Sequence, residues 1–116
     1  MAEDHRSSAR LAAGLWVAAY LARLGQANIP AYVVVRGDDT AGAVAVKCAH
    51  LDGTAALWMR EWDFDSDTRP WVAVETGPER DIDGAVARQR SRDPDLWVLE
   101  IESREGATLL DQPGLI

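Results

Sequence analysis

The sequence has little of three things. It contains one cysteine, Cys48, and one lysine, Lys47, and its apolar runs are short. A single cysteine excludes a disulfide framework within the chain and is typical of a protein from a reducing compartment. The run from Leu11 to Ala22 is shorter than the ~20 residues that span a bilayer, and no small-x-small cleavage site follows it cleanly. We therefore expect a cytoplasmic protein.

Positive charge is also scarce. Lysine and arginine together number 12 against 19 aspartates and glutamates, which leaves a net charge of −7. An acidic chain repels polyanions, so nucleic acid and anionic membranes are not expected as partners. With 47% apolar and 27% charged residues in 116 positions, the chain has the balance of one folded domain. The polar ends, residues 1–7 and 111–116, are expected to be loose.

The first apolar run predicts a helix that ends near Leu24. Ser7 or Ser8 is a suitable N-cap, and Gly25 is a natural C-cap. Its apolar residues recur at helical spacing. Leu11, Leu15, Ala18 and Ala22 fall on one stripe, and Trp16, Ala19, Tyr20 and Leu24 widen it. Few polar residues interrupt this helix, so we expect the sheet to cover one side of it and a second subunit to cover another.

Alternating and β-branched segments predict the strands, and an Asp-Gly pair at Asp52 predicts a hairpin between the second and third. The predicted strands are Ala31–Arg36, Gly42–Ala49, Ala55–Trp62, Trp71–Glu75 and Leu96–Ile101, with 107–110 as a sixth. A second helix is predicted from a capping box at Thr76 and Glu79 to about Ser91. Asp93-Pro94 then ends the helical pattern.

This order, α-β-β-β-β-α-β-β, predicts the α+β class. The expected architecture is a two-layer sandwich, a mainly antiparallel sheet of five or six strands with two helices packed on it. A right-handed crossover through the second helix would make the fourth strand and the Leu96–Ile101 strand parallel.

Two acidic groups are candidate sites. Asp63, Asp65 and Asp67 are spaced like the opening of a calcium loop. Such a loop needs a glycine at its sixth position and a glutamate at its twelfth, and the chain has Thr68 and Val74 there. A solvated loop is therefore the favoured interpretation, with these three aspartates as weak metal candidates.

The second acidic group is Asp93, Asp95, Glu100 and Glu102. Paired carboxylates can act as acid and base or hold Mg²⁺. The favoured alternative is that the aspartates cap a loop and the glutamates form surface ion pairs with nearby arginines. Cys48 lies on the inward face of an alternating strand, and the histidines form no metal nest, so no cofactor is predicted.

Tryptophan supplies a third candidate. In the predicted strand Ala55–Trp62, Trp58, Arg60 and Trp62 lie opposite Leu57 and Met59. If one face packs on the helices, the other presents two indoles around an arginine, and these residue types are enriched at binding hot spots. The alternative is a bulge that turns both rings into the core.

The chain resembles a bacterial family known as domain of unknown function 1491. The most specific segment is Asp93-Pro-Asp-Leu-Trp-Val, followed by Glu100-Ile-Glu. Further likeness lies in Leu15-Trp-Val-Ala, Arg36-Gly-Asp, Ala41-Gly-Ala-Val and Leu51-Asp-Gly-Thr, and the resemblance covers about Arg10 to Asp111. It implies a short, free-standing cytoplasmic protein and brings no activity, cofactor or catalytic residue.

With no catalytic motif, the leading hypothesis is a small interaction module or accessory subunit that forms a homodimer or binds a protein partner. The first alternative is an acid–base or divalent-metal-assisted enzyme that uses the acidic group at 93–102. The second alternative is a small-molecule sensor with a pocket between helices and sheet.

Overall fold

A computed structural model describes residues 11–115. Its elements in chain order are α1 (Ala13–Gln26), β1 (Ala31–Val35), β2 (Val44–Ala49), β3 (Thr54–Arg60), β4 (Trp71–Pro78), α2 (Glu79–Arg92) and β5 (Trp97–Glu102). Two helices and a five-stranded sheet confirm the predicted α+β class and the order α-β-β-β-β-α-β. The predicted caps Ser7 and Ser8 and the segment 1–7 lie outside the described residues, as does Ile116. Among residues 11–115, neither helix is long and apolar enough to cross a bilayer.

The strands form one sheet in the order β1-β5-β2-β3-β4. Three neighbouring pairs are antiparallel, and β2 and β5 are parallel, so the sheet is mixed and mainly antiparallel. The Asp52-Gly53 hairpin joins β2 to β3 as predicted, with Gly53 at a φ of 92°. Strands β4 and β5 run in the same direction, but β2 and β3 lie between them, so the chain through α2 crosses two strands.

The helices lie on opposite faces of the sheet, which makes three layers where the sequence suggested two. On the α1 side, Val46, Cys48, Leu99 and Ile101 pack with the buried residues of α1. On the α2 side, Ala45, Leu57 and Val98 pack against Ile82 and Ala85. Strands β2 and β5 therefore bury both faces, because alternate side chains meet a different helix on each side.

The core-facing side of α1 lies at the margin of the predicted stripe. Ala13, Val17, Tyr20 and Leu24 are buried against the sheet. Tyr20 and Leu24 were predicted to widen the stripe, whereas its central residues are exposed on the opposite side: Leu11, Leu15, Ala18 and Ala22. Periodicity could not choose between the two stripes because both are apolar. The buried side of the helix includes the large Tyr20 ring. The Tyr20 hydroxyl donates to the Thr108 carbonyl at 2.8 Å.

The end of α1 is formed by Asn28 rather than Gly25. The helix runs through Gly25 to Gln26, and Asn28 adopts a left-handed φ of 60°. The Ile29 amide donates to the Leu24 carbonyl at 2.9 Å, and the Asn28 amide donates to the Gly25 carbonyl at 3.1 Å. This pair of bonds is a Schellman motif, in which asparagine can replace glycine at the left-handed position.

The predicted capping box before α2 is part of a strand. Thr76 pairs with Ala56 and Pro78 pairs with Thr54 in the β3–β4 ladder, so β4 extends to Pro78 and the helix begins at Glu79. The Glu79 amide donates to the Gly53 carbonyl at 2.8 Å. A backbone carbonyl from the hairpin thus takes the role that a Thr76 side chain was predicted to have.

The C-terminal segment forms no sixth strand within the described residues. Residues 107–110 are irregular, and Leu110 and Leu115 are buried in the core on the α1 side. The Leu115 carbonyl accepts hydrogen bonds from Arg60 at 3.1 Å and from the Trp71 indole at 3.2 Å. The segment 111–115, expected to be loose, therefore closes one end of the core.

Candidate functional site

A groove of about 900 Å³ opens on the α1 side of the sheet. Its walls come from the start of α1, the loop before β2, the end of β3 and the loop between β3 and β4. The side chains that give it chemical character are Trp16, Arg60, Trp62, Arg69 and Trp71, with Asp67 at the wall. Two of the three residues predicted as an interaction surface, Arg60 and Trp62, therefore line this groove.

An aromatic stack forms the wall of the groove. The Trp16 ring lies 5.3 Å from Trp71 and 5.0 Å from Tyr20, centroid to centroid. The Arg60 guanidinium lies 4.8 Å over the Trp71 ring on the far side of the stack. Stacked rings with a cation at the end fix each other's orientation. The Trp16 indole N–H is enclosed and has no hydrogen-bond partner among residues 11–115.

Among residues 11–115, no carboxylate forms an ion pair with Arg60. Its nitrogens donate to the Arg69 carbonyl at 2.9 Å and to the Leu115 carbonyl at 3.1 Å. Both acceptors are neutral, and within 11–115 neither Arg60 nor Arg69 takes part in an ion pair. Burial and the charge of Arg69 lower the pKa of Arg60 from its ordinary value.

The predicted tryptophan pair is divided between core and surface. Trp58 faces the α1 side, is half-buried and packs against the core there. Trp62 lies beyond the end of β3, is 51% exposed and meets Phe64 edge-to-face at 6.3 Å. Phe64 is 88% exposed, so these two rings form an apolar rim on one side of the groove.

The acidic group at 93–102 is distributed over separate places. The Asp93 carboxylate accepts the Asp95 amide at 3.1 Å and so closes its own turn, as one interpretation of the sequence expected. Glu100 lies 3.6 Å from Lys47 rather than beside an arginine. Glu102 ends β5, and within the described part of the chain no three carboxylate, histidine or cysteine side chains gather as metal ligands.

Asp63, Asp65 and Asp67 lie in the loop that borders the groove. The Asp63 carboxylate accepts the Asp65 amide at 3.1 Å and the Ser66 hydroxyl at 2.9 Å. These bonds use Asp63 to hold its own turn, which is the usual role of an aspartate at a turn's first position. Asp67 sits at the groove with a left-handed φ of 55°.

The most tightly bound charged group was not found from the sequence. Lys47, on the α2 side of β2, is only 6% exposed. Its ammonium donates to Asp83 at 2.6 Å and to Glu79 at 2.7 Å, both on α2, and lies 3.6 Å from Glu100 on β5. Burial acts to lower the pKa of Lys47, but these hydrogen bonds and the Glu100 charge outweigh it and raise the pKa. The Lys47 ammonium therefore joins α2 to the sheet through two charged hydrogen bonds.

The family is decided by a comparison of the whole domain. The family model described as "Protein of unknown function (DUF1491)" matches residues 11–111. The chain belongs to the DUF1491 family. None of the curated proteins matches it.

Solved DUF1491 structures share this fold. A crystal structure of a DUF1491 family protein from Caulobacter crescentus is 38% identical, with a TM-score of 0.80 over 90% of this chain and 98% of that one. An NMR structure of a DUF1491 family protein from the same species is 37% identical, with a TM-score of 0.75 over 89% of this chain and 94% of that one. A solution structure of a protein from A. tumefaciens is 31% identical, with a TM-score of 0.72 over 90% of this chain and 98% of that one.

Three of the segments that carry the DUF1491 resemblance meet at the loop before β2: residues 36–38, 41–44 and 93–98. The Asp38 amide donates to the Asp95 carbonyl at 3.0 Å, and the Trp97 indole donates to the Asp38 carbonyl at 2.8 Å. The Gly14 amide at the start of α1 donates to the Asp39 carbonyl at 2.9 Å. This loop therefore joins α1, β2 and the turn before β5, and it forms one wall of the groove.

Proposed function

We propose that this DUF1491 protein is a small cytoplasmic interaction module that forms a homodimer through the outer side of α1. The observation that carries the proposal is the outer stripe, defined as Leu11, Leu15, Ala18, Ala19 and Ala22. All five residues are exposed, and none is charged or polar. Leu15, near the middle, is 59% exposed.

A helix that is apolar on all sides is normally covered on all sides. The core covers Ala13, Val17, Tyr20 and Leu24 of this helix and partly covers Trp16 and Leu21. A second copy fits the outer stripe because a two-fold interface places the same patch on both subunits, and this patch is self-complementary in being apolar. The three alanines would let two helices approach closely, and the absence of charge avoids contact repulsion between two chains of net charge −7.

The edge strand β1 extends the same interface. It lies at one end of the sheet beside β5, and its residues Tyr32, Val33 and Val34 are exposed. Val33 pairs with Leu99 and therefore lies on the α1 side. Proteins usually protect such edges with lysine, other charged residues or proline, and β1 has only Pro30 before it and Arg36 after it. A dimer that covers the outer stripe and this edge would need to bury about 800 Å² per partner to reach the standard size of a stable interface.

Leu15→Glu is expected to weaken the dimer by roughly a hundredfold or more, because a two-fold interface would bury two unpaired carboxylates. Leu51→Glu is the matched control, since Leu51 is a similarly exposed leucine in the hairpin between β2 and β3. Sedimentation equilibrium should give a monomer for Leu15→Glu and a dimer for Leu51→Glu. Equal association of the two variants would contradict this interface.

A further inference from the structure

The groove on the α1 side combines two arginines with tryptophan rings, and these side chains have no role in the proposed homodimer. We infer that it is a docking site for a segment of a partner protein that presents a carboxylate beside a large apolar side chain. This inference stands apart from the proposed homodimer, because the residues that carry it are Arg60, Trp62, Arg69 and Trp71. The outer stripe shares only Leu11 with the lining of the groove.

The charge of the groove is opposite to that of the protein. Arg60 and Arg69 line it against one acid, Asp67, whereas the chain as a whole carries −7. Within 11–115 no carboxylate pairs with either arginine, and the hydrogen-bond acceptors of Arg60 are two neutral carbonyls. The lowered pKa of Arg60 shows that burial and Arg69 already disfavour its charge. An incoming carboxylate would relieve this excess of positive charge.

The apolar part of the groove fits a side chain rather than a bare ion. The indoles of Trp16, Trp62 and Trp71 line it, and Leu11 lies at its edge. Tryptophan and arginine are the residue types most enriched at interface hot spots. A volume of about 900 Å³ holds a few residues of a peptide.

These features together favour an acidic, apolar peptide over other anions. A polynucleotide would need more cations than two, and it would face the repulsion of an acidic surface. A carboxylate can be bound by the exposed Arg69 and stay near Arg60, while the neighbouring apolar side chain packs on the exposed ring of Trp62. The loop with Phe64 extends the apolar rim for the next residue.

The test is titration of the ¹⁵N-labelled full chain with capped tetrapeptides, followed through the indole N–H signals. The acidic apolar probe is acetyl-Glu-Phe-Glu-Leu-amide. Acetyl-Lys-Phe-Lys-Leu-amide reverses its charge, and acetyl-Glu-Ser-Glu-Ser-amide removes its apolar side chains. We expect the acidic apolar peptide to shift the signals of Trp16, Trp62 and Trp71 and the other two peptides to bind at least roughly tenfold more weakly.

Two variants make the assignment specific. Arg69→Gln removes an exposed cation at the groove and is expected to weaken the binding of the acidic apolar peptide roughly tenfold. Arg80→Gln makes the same change on an exposed arginine of α2, on the opposite side of the sheet, and should leave binding unchanged. Trp62→Ala, which alters only the rim, is expected to weaken binding similarly without unfolding the domain.

Several outcomes would overturn the inference. These are no indole shift at millimolar acidic peptide, equal binding of the lysine peptide, or equal effects of Arg69→Gln and Arg80→Gln. Benzoate that binds as tightly as the peptide would assign the groove to small anionic molecules and would also contradict it. The titration is read on the wild-type chain in whatever oligomeric state it adopts, so its failure leaves the homodimer untouched.

Discussion

Lys47→Ala is expected to lower the free energy of unfolding by about 2–3 kcal/mol. The ammonium lies 2.6 Å from Asp83 and 2.7 Å from Glu79, and its removal leaves these acids and Glu100 facing one another without a cation. Breaking a fully buried ion pair costs about 3–5 kcal/mol. The acids on α2 are partly exposed and can be solvated, so a smaller loss is expected.

Urea denaturation of wild type and variant measures this difference. The control is Arg36→Ala, which breaks the exposed pair of Arg36 and Asp39 at 2.9 Å and should cost about 0.5 kcal/mol or less. A Lys47→Ala variant as stable as Arg36→Ala would show that the lysine does not hold α2 to the sheet.

The contribution of Lys47 should also depend on pH in the alkaline range. Its pKa is raised in the folded protein, so the stabilisation is complete below the unfolded lysine value of about 10.4. Above that pH the unfolded chain loses its proton first, and the stabilisation declines as the pH approaches the folded pKa. The stability difference between wild type and Lys47→Ala should therefore stay constant from neutral pH to about 10 and shrink above it. A difference that grows with alkaline pH would contradict this.

Gly42→Ala is expected to cost about 3 kcal/mol, the upper end of what overpacking usually costs. A Cβ at this position would lie 2.5 Å from the Asp95 carbonyl oxygen and 2.8 Å from the Asp38 carbonyl oxygen. Both of these oxygens belong to the backbone. Asp38 is hydrogen-bonded to the Asp95 carbonyl and to the Trp97 indole, so the loop cannot shift without breaking those hydrogen bonds.

Gly25→Ala is the matched control for this substitution. A Cβ at Gly25 would meet nothing within 4 Å, and the residue lies inside α1. Because alanine favours a helix over glycine, this variant should be more stable than wild type by about 0.5–1 kcal/mol. Thermal and urea unfolding should rank the proteins Gly25→Ala, wild type, Gly42→Ala. A Gly42→Ala protein as stable as wild type would contradict the close packing of this loop.

The strands were the most predictable part of the molecule. Alternation in β2 placed Val46 and Cys48 on one face and Ala45 and Lys47 on the other, as the structure has them. The Asp52-Gly53 turn chemistry identified its hairpin. Local sequence patterns of this kind are sufficient to predict a strand and its two faces when the neighbouring strands do not change which face is buried.

The remaining differences arise where distant parts of the chain decide the outcome. Both stripes of α1 are apolar, so only the shape of the sheet and the Tyr20–Thr108 bond select the buried one. Thr76 and Glu79 have the spacing of a capping box, but pairing with β3 extends the strand through Thr76.

The candidate sites were less predictable than the strands. Arg60 and Trp62 could be named from the sequence, because tryptophan and arginine stand out at alternate positions of a strand. Trp16, Arg69 and Trp71 could not, since they reach the groove from a helix, a loop and another strand. The buried ion pairs of Lys47 could have been predicted. The only lysine of the chain lies within an otherwise apolar strand, where a charge needs buried partners.

We propose that this domain works by self-association through α1. Sedimentation velocity of the wild-type chain over a wide concentration range distinguishes a dimer from a monomer. A species of twice the 12.7 kDa chain mass is expected at micromolar concentrations, and its dissociation constant should fall as salt screens the net charge of −7. A species of 12.7 kDa at every concentration up to millimolar would contradict it.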